Sequence, residues 1–256
     1  MIIVKNTSKI NFNKKFVFIT SSYNQCQFVR KSLDSIRIQK YPKDKYRVVY
    51  VNDASTDKTE EYVKKFIEDN KDINMKLITN EKNLGPSYSR YIAYKDCIDN
   101  EICVFLDGDD WLVEPNTLGI LSYVYSTFTI YNTFGSMLGE TWQFKCWTLL
   151  NRKSECFPHL RTAYAFLCKR IPLNYLKYKN KEWFKHQTDI AFFASIVELS
   201  NYKYAFIRNE FLRYNRYSSK TNKDTGFNCM SRQQRLRRIL YKIYIQNLRP
   251  LNPLIR

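Results

Sequence analysis

The chain has 256 residues, 44% of them hydrophobic and 26% charged, and its formal net charge at pH 7 is +18. This length suits one domain, or one domain with an appended half, and the composition excludes a disordered or fibrous chain. No apolar run approaches the roughly 18 residues that a membrane span needs, so we expect no integral membrane protein.

Further classes of protein are excluded by the N-terminus and by the positions of the cysteines and glycines. Residues 1–15 lack the pattern of a signal peptide, and the seven cysteines are scattered with no CxxC pair. We therefore expect reduced thiols, no structural zinc and a cytoplasmic protein. None of the six glycines lies in the first 84 residues, which excludes a P-loop NTPase and a GxGxxG dinucleotide-binding domain. It also argues against a sugar-phosphate nucleotidyltransferase, which should carry a glycine-rich N-terminal loop.

Short apolar strands alternate with amphipathic helices over the first half of the chain. The predicted strands are residues 16–19, 48–51, 75–78 and 102–106. Apolar residues at helical spacing cover about residues 25–39 and 62–67, and a third helix opens at Pro86, where a first-turn proline loses no needed hydrogen bond. This order predicts an α/β fold of the doubly wound type, with a mostly parallel sheet and helices on both faces.

Each predicted strand ends in a polar cluster. The clusters are Thr20 to Asn24, Asn52 to Asp57, Asn83 to Gly85, and Asp107 to Asp110. In such a sheet ligands bind beyond the carboxyl ends of the strands, so the four clusters should line one rim. Three carboxylates within four residues in the last cluster repel one another unless a cation neutralises them, and their oxygens suit Mg²⁺ or Mn²⁺. A solvated acidic turn that caps the next helix is the alternative.

The second half of the chain is less regular. It is rich in aromatic residues, including Trp142, Trp147 and Trp183, and contains a helical pattern from about Thr188 to Ser200. It reads as a lobe built onto the edge of the sheet. The predicted parts are a βαβ half over residues 1–115, a second half of the same domain over 116–230, and a basic segment over 231–256.

The positive charge is concentrated at the C-terminus. Residues 201–256 hold 13 Lys and Arg against Glu210 and Asp224, which suits nucleic acid, an anionic membrane surface or a phosphorylated small molecule. Residues 232–242 are predicted as a basic amphipathic helix whose apolar face carries Leu236, Ile239, Leu240 and Ile243. Such a helix either lies on anionic lipid or docks on the domain by that apolar face.

Four motifs occur together in the first half. They are Ser22-Tyr23-Asn24, Asn52-Asp53-Ala54-Ser55-Thr56-Asp57-Lys58-Thr59, Asn83-Leu84-Gly85 with Ser89-Arg90, and Phe105-Leu106-Asp107-Gly108-Asp109-Asp110. With them the chain resembles the GT-A-fold glycosyltransferases of the family 2 type over roughly residues 16–115, and residues 158–162 and 188–191 resemble the acceptor-side half of a bacterial-type subgroup. The resemblance implies an inverting, hexosyl-type transfer from a nucleotide diphosphate sugar to a hydroxyl acceptor, with Mn²⁺ or Mg²⁺.

The resemblance also assigns residues to a donor site. Asp53 resembles the carboxylate that accepts a hydrogen bond from the imide N–H of uracil, a donor that cytosine lacks. This favours a uridine or thymidine donor, and of these a UDP-sugar is expected. Tyr23 would stack on the base, the Thr20 main chain would pair with its edge, and Asn83 belongs to the loop motif beside them. The alternative for Asp53 is an N-cap of the following helix.

Phosphate and metal contacts follow from the same resemblance. Arg90 would reach a phosphate or the acidic cluster, with a surface ion pair as its alternative, and Arg161 would reach the diphosphate. Asp107 would contact ribose or metal and Asp109 would be the main metal ligand. Asp110 would support them or cap a helix.

An inverting transfer needs a base for the acceptor hydroxyl, and Asp189 is the candidate. In the family this Asp follows a Glu, whereas Thr188 stands here, and the alternative is a first-turn Asp that favours the helix dipole. His159 and Glu182 are the next candidates. His159 and His186 are either packed side chains or contacts to the metal or acceptor.

Two other function classes stay open. The first is a catalytically weak nucleotide-sugar-binding relative. The second is a basic nucleic-acid-binding module, favoured by charge but by no helix-turn-helix, RNP or zinc pattern, so no nucleic acid partner is expected. The acceptor would be a glycan, a lipid-linked glycan or a protein, with peripheral membrane contact through the basic C-terminus.

Overall fold

The structure is a computed structural model and describes residues 2–4, 12–138, 150–154, 157–215 and 231–255. Trp142 and Trp147, noted above for the aromatic second half, lie outside these residues. The strands are β1 Phe16–Ser22, β2 Tyr46–Asn52, β3 Asn74–Thr79, β4 Ile102–Phe105, β5 Trp111–Leu112, β6 Asn132–Leu138, β7 Arg161–Tyr164, β8 Lys177–Tyr178, β9 Glu182–Trp183 and β10 Tyr204–Arg213. The α-helices are α1 Cys26–Arg37, α2 Thr59–Asp69, α3 Pro86–Lys95, α4 Thr117–Thr127, α5 Ala165–Lys169, α6 Thr188–Leu199 and α7 Arg232–Gln246.

In the described part of the chain, eight strands form one curled sheet in the order β3-β2-β1-β4-β7-β6-β10-β5. Strand β1 is parallel to β2 and β4, and β2 is parallel to β3. Parallel neighbours need crossover connections, which α1, α2 and α3 supply. The predicted α/β fold with a parallel N-terminal half is confirmed.

The second half extends the same sheet. Strand β7 is antiparallel to both β4 and β6, β10 is parallel to β6, and β5 is antiparallel to β10. Antiparallel neighbours do not need a helical crossover, and this explains why the strand–helix alternation is lost after residue 116.

The sheet has a core on each face because alternate strand residues point to opposite sides. Val17 and Ile19 face a core closed by α3, α5 and α6, whereas Phe16 and Phe18 face a core closed by α1, α2 and α4. Helix α6 is buried from Ile190 to Leu199. Only its first turn can therefore contribute side chains to the rim of the sheet.

Helix α7 docks on the domain, but not by the predicted face. Its Tyr241 and Ile245 are buried, and the Tyr241 ring contacts that of Phe184 at 5.0 Å while its hydroxyl donates to Glu182 Oε1 at 2.9 Å. The predicted aliphatic face lies on the opposite side. An aromatic ring with a polar tip fits this partly polar crevice better than aliphatic side chains would.

Among the described helices, none is long and apolar enough to cross a membrane.

Candidate functional site

The polar clusters at the strand ends meet at one edge of the sheet. The Asp53 N–H donates to the Ser22 carbonyl at 2.9 Å, and the Gly108 N–H donates to the Ser21 carbonyl at 3.1 Å. A Cβ atom at residue 108 would lie 2.7 Å from Ser22 Cβ and 2.9 Å from the Ser21 oxygen. The turn of Asp107 to Asp110, the acidic turn, therefore packs on β1 only because residue 108 is glycine.

Asp53 ties this edge to the loop before α3. Its buried carboxylate accepts hydrogen bonds from the Asn80 amide at 2.7 Å and from the backbone N–H groups of Leu84 at 3.1 Å and Gly85 at 2.8 Å. Gly85 has a φ of 88°, a left-handed conformation that favours glycine. Asp53 thus fixes the shape of the loop.

The helix-capping role that was the alternative for Asp53 belongs to Asp57. The Asp57 carboxylate accepts from the N–H of Thr59 at 2.9 Å, at the start of α2, and from that of Cys26 at 3.1 Å, at the start of α1. Burial raises the pKa of Asp57, but these hydrogen bonds outweigh it and bring the pKa below its ordinary value.

The other predicted donor-site residues lie along the same edge. Thr20 is inside β1, and its buried hydroxyl has no hydrogen-bond partner among the described residues. Tyr23 is half-buried in the loop between β1 and α1. The Asn83 carbonyl accepts a hydrogen bond from Lys185 Nζ at 3.1 Å, which joins the loop before α3 to the segment before α6.

Arg90 is buried beneath the rim, so a surface ion pair does not describe it. Its Nη2 donates to Asp107 Oδ1 at 3.1 Å and its Nη1 donates to Thr188 Oγ1 at 2.8 Å. The planar fork of one guanidinium thereby joins α3, the acidic turn and the first turn of α6.

A second buried cation, Arg161, lies near the same carboxylate. Arg161 in β7 lies directly opposite Phe105 in the antiparallel strand β4. Its guanidinium lies over the Phe193 ring, 5.0 Å from the ring centroid. Burial raises the pKa of Asp107, but the charges of Arg90 and Arg161 outweigh burial and hold the pKa well below its ordinary value. Asp107 is therefore ionised under the combined charges of two buried guanidinium groups.

Asp107, Asp110 and His159 form a group of described residues that could hold a metal ion, with ligand atoms all within 4.8 Å of one another. Asp110 Oδ1 accepts from the Asn215 N–H at 2.9 Å. Asp110 Oδ2 lies 3.7 Å from His159 Nδ1, and neither atom has a hydrogen-bond partner among the described residues. Buried polar atoms without partners need an explanation, and a bound ion supplies one.

The charge states of this group suit a divalent cation. Burial, assisted by the charge of Arg161, lowers the pKa of His159 well below its ordinary value, so the imidazole is neutral and its lone pair can bind a metal. Burial and the negative charges of Asp109 and Asp107 raise the pKa of Asp110. A cation would oppose that rise by stabilising the carboxylate.

From the sequence, Asp110 was expected to support the metal ligands or to cap a helix, and His159 to be either a packed side chain or a contact to the metal or acceptor. Asp110 caps no helix, because β5 follows the acidic turn directly, while Asp109 is half-buried in the same turn. His159 lies two residues before Arg161, where β7 begins. Its closeness in the chain to a predicted diphosphate contact was the available signal for His159.

Asp189 stands half-buried in the first turn of α6. Burial lowers the pKa of Arg161, and the charges of Asp107 and then Asp189 oppose this effect. Asp189 therefore belongs to the same electrostatic cluster as the acidic turn. Thr188, which precedes it, is held by Arg90.

The two other residues considered for the site face α7. Glu182 accepts from the Tyr241 hydroxyl and lies 3.6 Å from Arg237. The His186 ring lies 6.4 Å from that of Tyr241. Both side chains therefore line the docking surface of α7, apart from the acidic turn.

Residues 17–132 match the family model described as Glycosyl transferase family 2. This range contains the four motifs, including Asp53, Arg90 and Asp107, whereas Thr188, Arg161 and His159 lie beyond it. Over residues 17–132 the chain matches a glycosyl transferase family 2 domain. The resemblance carried by the motifs is thereby confirmed, and β6 begins where the matched range ends.

Curated relatives match the family 2 domain over short stretches of much longer proteins. The poly(ribitol-phosphate) β-N-acetylglucosaminyltransferase TarS of Staphylococcus aureus is 34% identical over 99 residues, which are 38% of this chain and 17% of TarS. The glycosyltransferase GlyA of Streptococcus pneumoniae is 36% identical over 98 residues, which are 38% of this chain and 13% of GlyA. The matched stretch is thus about a sixth or less of the length of these relatives.

Solved structures share the fold beyond the family 2 domain. Residues 1–349 of S. aureus TarS, in complex with UDP-GlcNAc, superpose with a TM-score of 0.62 and 21% identity, covering 78% of this chain and 58% of that one. A mannosyltransferase from Pyrobaculum calidifontis, in complex with GDP-Man and Mn²⁺, gives a TM-score of 0.59 and 20% identity, covering 78% and 56%. At these identities the likeness establishes a GT-A fold.

Proposed function

We propose that the chain is an inverting, metal-dependent glycosyltransferase that moves a sugar from a UDP-sugar to a hydroxyl acceptor. One observation carries the proposal: Asp107 is paired with buried Arg90, is kept ionised by the charges of Arg90 and buried Arg161, and groups with Asp110 and His159 at the carboxyl edge of the sheet. Guanidinium groups next to carboxylates suit the binding of a diphosphate together with a divalent metal ion.

The choice of uridine rests on Asp53. A carboxylate offers about four lone-pair sites, and Asp53 uses three for Asn80, Leu84 and Gly85. One acceptor site would be left for a uracil imide, and Tyr23, in the loop after β1, would stack on the base. The UDP-GlcNAc complex of TarS supports this choice, while the GDP-Man complex of the mannosyltransferase shows that the fold also serves another base.

Asp107, Asp110 and His159 would hold the metal, together with Asp109 of the same turn. When bound, Mn²⁺ or Mg²⁺ would supply positive charge to the leaving diphosphate. Arg90 and Arg161 add fixed positive charge at the same place. Because both are buried, they would act in a low dielectric and need little reorganisation.

Asp189 would serve as the general base. The acceptor oxygen forms a bond to the anomeric carbon as the bond from that carbon to the diphosphate breaks, and the diphosphate leaves with the electron pair. The hydroxyl proton passes to an Asp189 carboxylate oxygen. Attack from the side opposite the leaving group inverts the anomeric centre, through a transition state with oxocarbenium character.

The acceptor in this proposal is a hydroxyl of a glycan, a lipid-linked glycan or a protein. The proposal includes peripheral contact between the basic C-terminal segment and a membrane, supported by six Lys and Arg and no Asp or Glu in residues 231–255.

A thermal-shift experiment tests the proposal. UDP at about 100 times its Kd, with Mn²⁺, should stabilise the native state by about 2.7 kcal/mol, a shift in Tm of about 5–10 °C for a chain of this size. UDP without metal should give a smaller shift. Arg161→Gln should reduce the shift, while Lys64→Gln, at an exposed position of α2, should not.

Each other outcome has a definite meaning. Stabilisation by GDP or CMP compounds but not by UDP would refute the assignment of Asp53 to uracil. A shift with no sugar transfer or donor hydrolysis would favour a binding-only relative. No shift with any nucleotide would refute the proposed function.

A further inference from the structure

Helix α7 has two apolar faces. One is docked on the domain through Tyr241 and Ile245, which are buried. The opposite stripe consists of four aliphatic side chains that are each 51–55% exposed, namely Leu236, Ile239, Leu240 and Ile243. Their spacing of three, four and seven residues places them on one face of the helix. Single exposed aliphatic residues are ordinary, whereas an aligned stripe of four marks a contact surface.

The stripe belongs to a strongly basic helix. Residues 232–246 contain five Lys and Arg and no Asp or Glu. At 100° per residue Arg232 lies within the stripe and Arg235 beside it, both exposed. Arg237 points nearer the docked side, 3.6 Å from Glu182. Positive charge therefore borders the exposed aliphatic stripe.

We propose that the outward face of α7 docks on an anionic lipid surface, with the aliphatic stripe among the acyl chains and the bordering Arg and Lys side chains at the headgroups. An apolar stripe flanked by basic residues is the arrangement that lies in the plane of such an interface. This gives the membrane contact of the proposed function a definite surface, and its test does not depend on the donor or the reaction.

Charge decides between lipid and a second copy of the chain as the occupant. Two copies meeting stripe to stripe would bring two strongly basic helices together, and like charges across an interface cost affinity. Nucleic acid would satisfy the arginines but would leave the aliphatic stripe in water. An anionic bilayer satisfies both features.

The helix is held in place before any lipid arrives. A capping box between Ser231 and Gln234 closes its N-terminus. Beyond its C-terminus the Leu251 N–H donates to Glu198 Oε2 at 2.9 Å, and the Leu254 N–H donates to the Leu199 carbonyl at 2.9 Å. Membrane binding therefore incurs little cost for ordering the helix. Changes to the outward stripe also leave the buried face intact.

The test is co-sedimentation of the full chain with vesicles of phosphatidylcholine alone or with 30 mol% phosphatidylglycerol. The chain should bind the anionic vesicles and should bind the neutral vesicles little. Ile239→Ser with Ile243→Ser should lower the partition coefficient about tenfold or more. The matched control is Ile38→Ser with Ile98→Ser, at similarly exposed positions elsewhere, which should change nothing.

Charge variants complete the experiment. Arg232→Gln with Arg235→Gln should also weaken vesicle binding about tenfold or more. The control Lys64→Gln with Lys65→Gln, at two exposed positions of α2, should weaken it much less. Equal loss in both pairs would show non-specific attraction and overturn the proposal. So would a lack of binding to anionic vesicles, or dimers of the chain that Ile239→Ser with Ile243→Ser dissociates.

Folding and function are followed separately. The Tm of each variant and its stabilisation by UDP with Mn²⁺ should match those of the unsubstituted chain, because the outward stripe touches neither core nor site. If vesicle binding fails while UDP still stabilises the chain, the membrane contact is wrong and the proposed glycosyl transfer from a UDP-sugar stands. The reverse result would refute the proposed function alone.

Discussion

The ion pair between Arg90 and Asp107 organises the residues of the site. Arg90 is buried and has fixed partners at both ends of its guanidinium, in the acidic turn and in the first turn of α6. Asp107 is half-buried, but Arg90 is buried, so removing the Asp107 carboxylate leaves an uncompensated charge on a buried guanidinium. Substitutions of Arg90 or Asp107 therefore change folding and chemistry together, and other residues make cleaner tests.

Asp189→Asn tests the proposed base. Asparagine keeps the size of the side chain but cannot accept the proton, so turnover should fall by about 10²- to 10⁴-fold while the Kd for UDP barely changes. Donor turnover is measured as UDP release and the Kd by titration calorimetry. Near-full turnover would leave Asp189 as a first-turn helical carboxylate and move the search for the base to the remaining acceptor-side residues.

Asp109→Asn should behave differently from Asp189→Asn. Loss of a metal-side carboxylate should weaken binding of UDP in the presence of Mn²⁺ and slow turnover as well, because cation binding and stabilisation of the leaving group depend on the same charge. The comparison is the UDP Kd of each variant with and without Mn²⁺. Identical profiles for the two variants would contradict separate metal-binding and base roles.

At the scale of elements, α6 places the candidate base by fixing only its first turn. The rest of the helix is buried in the core, so packing sets its direction. The hydrogen bond from Arg90 to Thr188 fixes the position of its N-terminus. The threonine stands where the family has a glutamate. In this chain it supplies a neutral acceptor, and Asp107 is left as the negative partner of Arg90.

Thr188→Val should expose the importance of this contact. Valine keeps the shape but removes the acceptor, so a buried guanidinium N–H loses its partner, at a cost of about 1–3 kcal/mol in the free energy of unfolding. Turnover should fall further than the UDP affinity because Asp189 is no longer held. Urea unfolding and UDP release measure the two effects. Thr188→Ser, which keeps the hydroxyl, is the control and should stay near the unsubstituted chain in both.

The packing of α7 on the segment before α6 makes stability depend on pH. Burial, then the charges of Arg238 and Arg237, lowers the pKa of His186 from its ordinary 6.5. As the pH falls below that value the unfolded chain takes up the proton first, so stability is complete above it and is lost as pH falls through the lower folded-state pKa. His186→Gln should flatten the decline in unfolding free energy between pH 7 and 5, measured by urea titration at each pH. An unchanged slope would contradict the contribution of His186 to the decline.

For the whole molecule, the sequence predicted most of what local pattern controls. The four N-terminal strands and their helices follow from hydrophobic periodicity, and the rim of polar clusters follows from the doubly wound order. The sequence could not place Arg161 beside Asp107, because that contact depends on β7 entering the sheet antiparallel to β4. Nor could it choose the docked face of α7, since both faces carry apolar residues. That choice depends on the crevice formed by Phe184 and Glu182, which exists only in the folded chain.

The C-terminal segment is expected to be part of the folding unit. Tyr241 and Ile245 are buried in the core that also contains α6, and the Tyr175 hydroxyl donates to the Arg249 carbonyl at 2.6 Å. Tyr241→Ala should therefore lower the free energy of unfolding by about 3–5 kcal/mol, and removal of residues 231–256 should lower it further and abolish the UDP-induced thermal shift. Leu240→Ala, on the exposed stripe of the same helix, is the control and should cost far less because no cavity forms. Calorimetry of the four chains decides the matter: a truncated chain that melts within a degree or two of the full one, with its UDP shift intact, would make the segment an appendage to an independently folded domain.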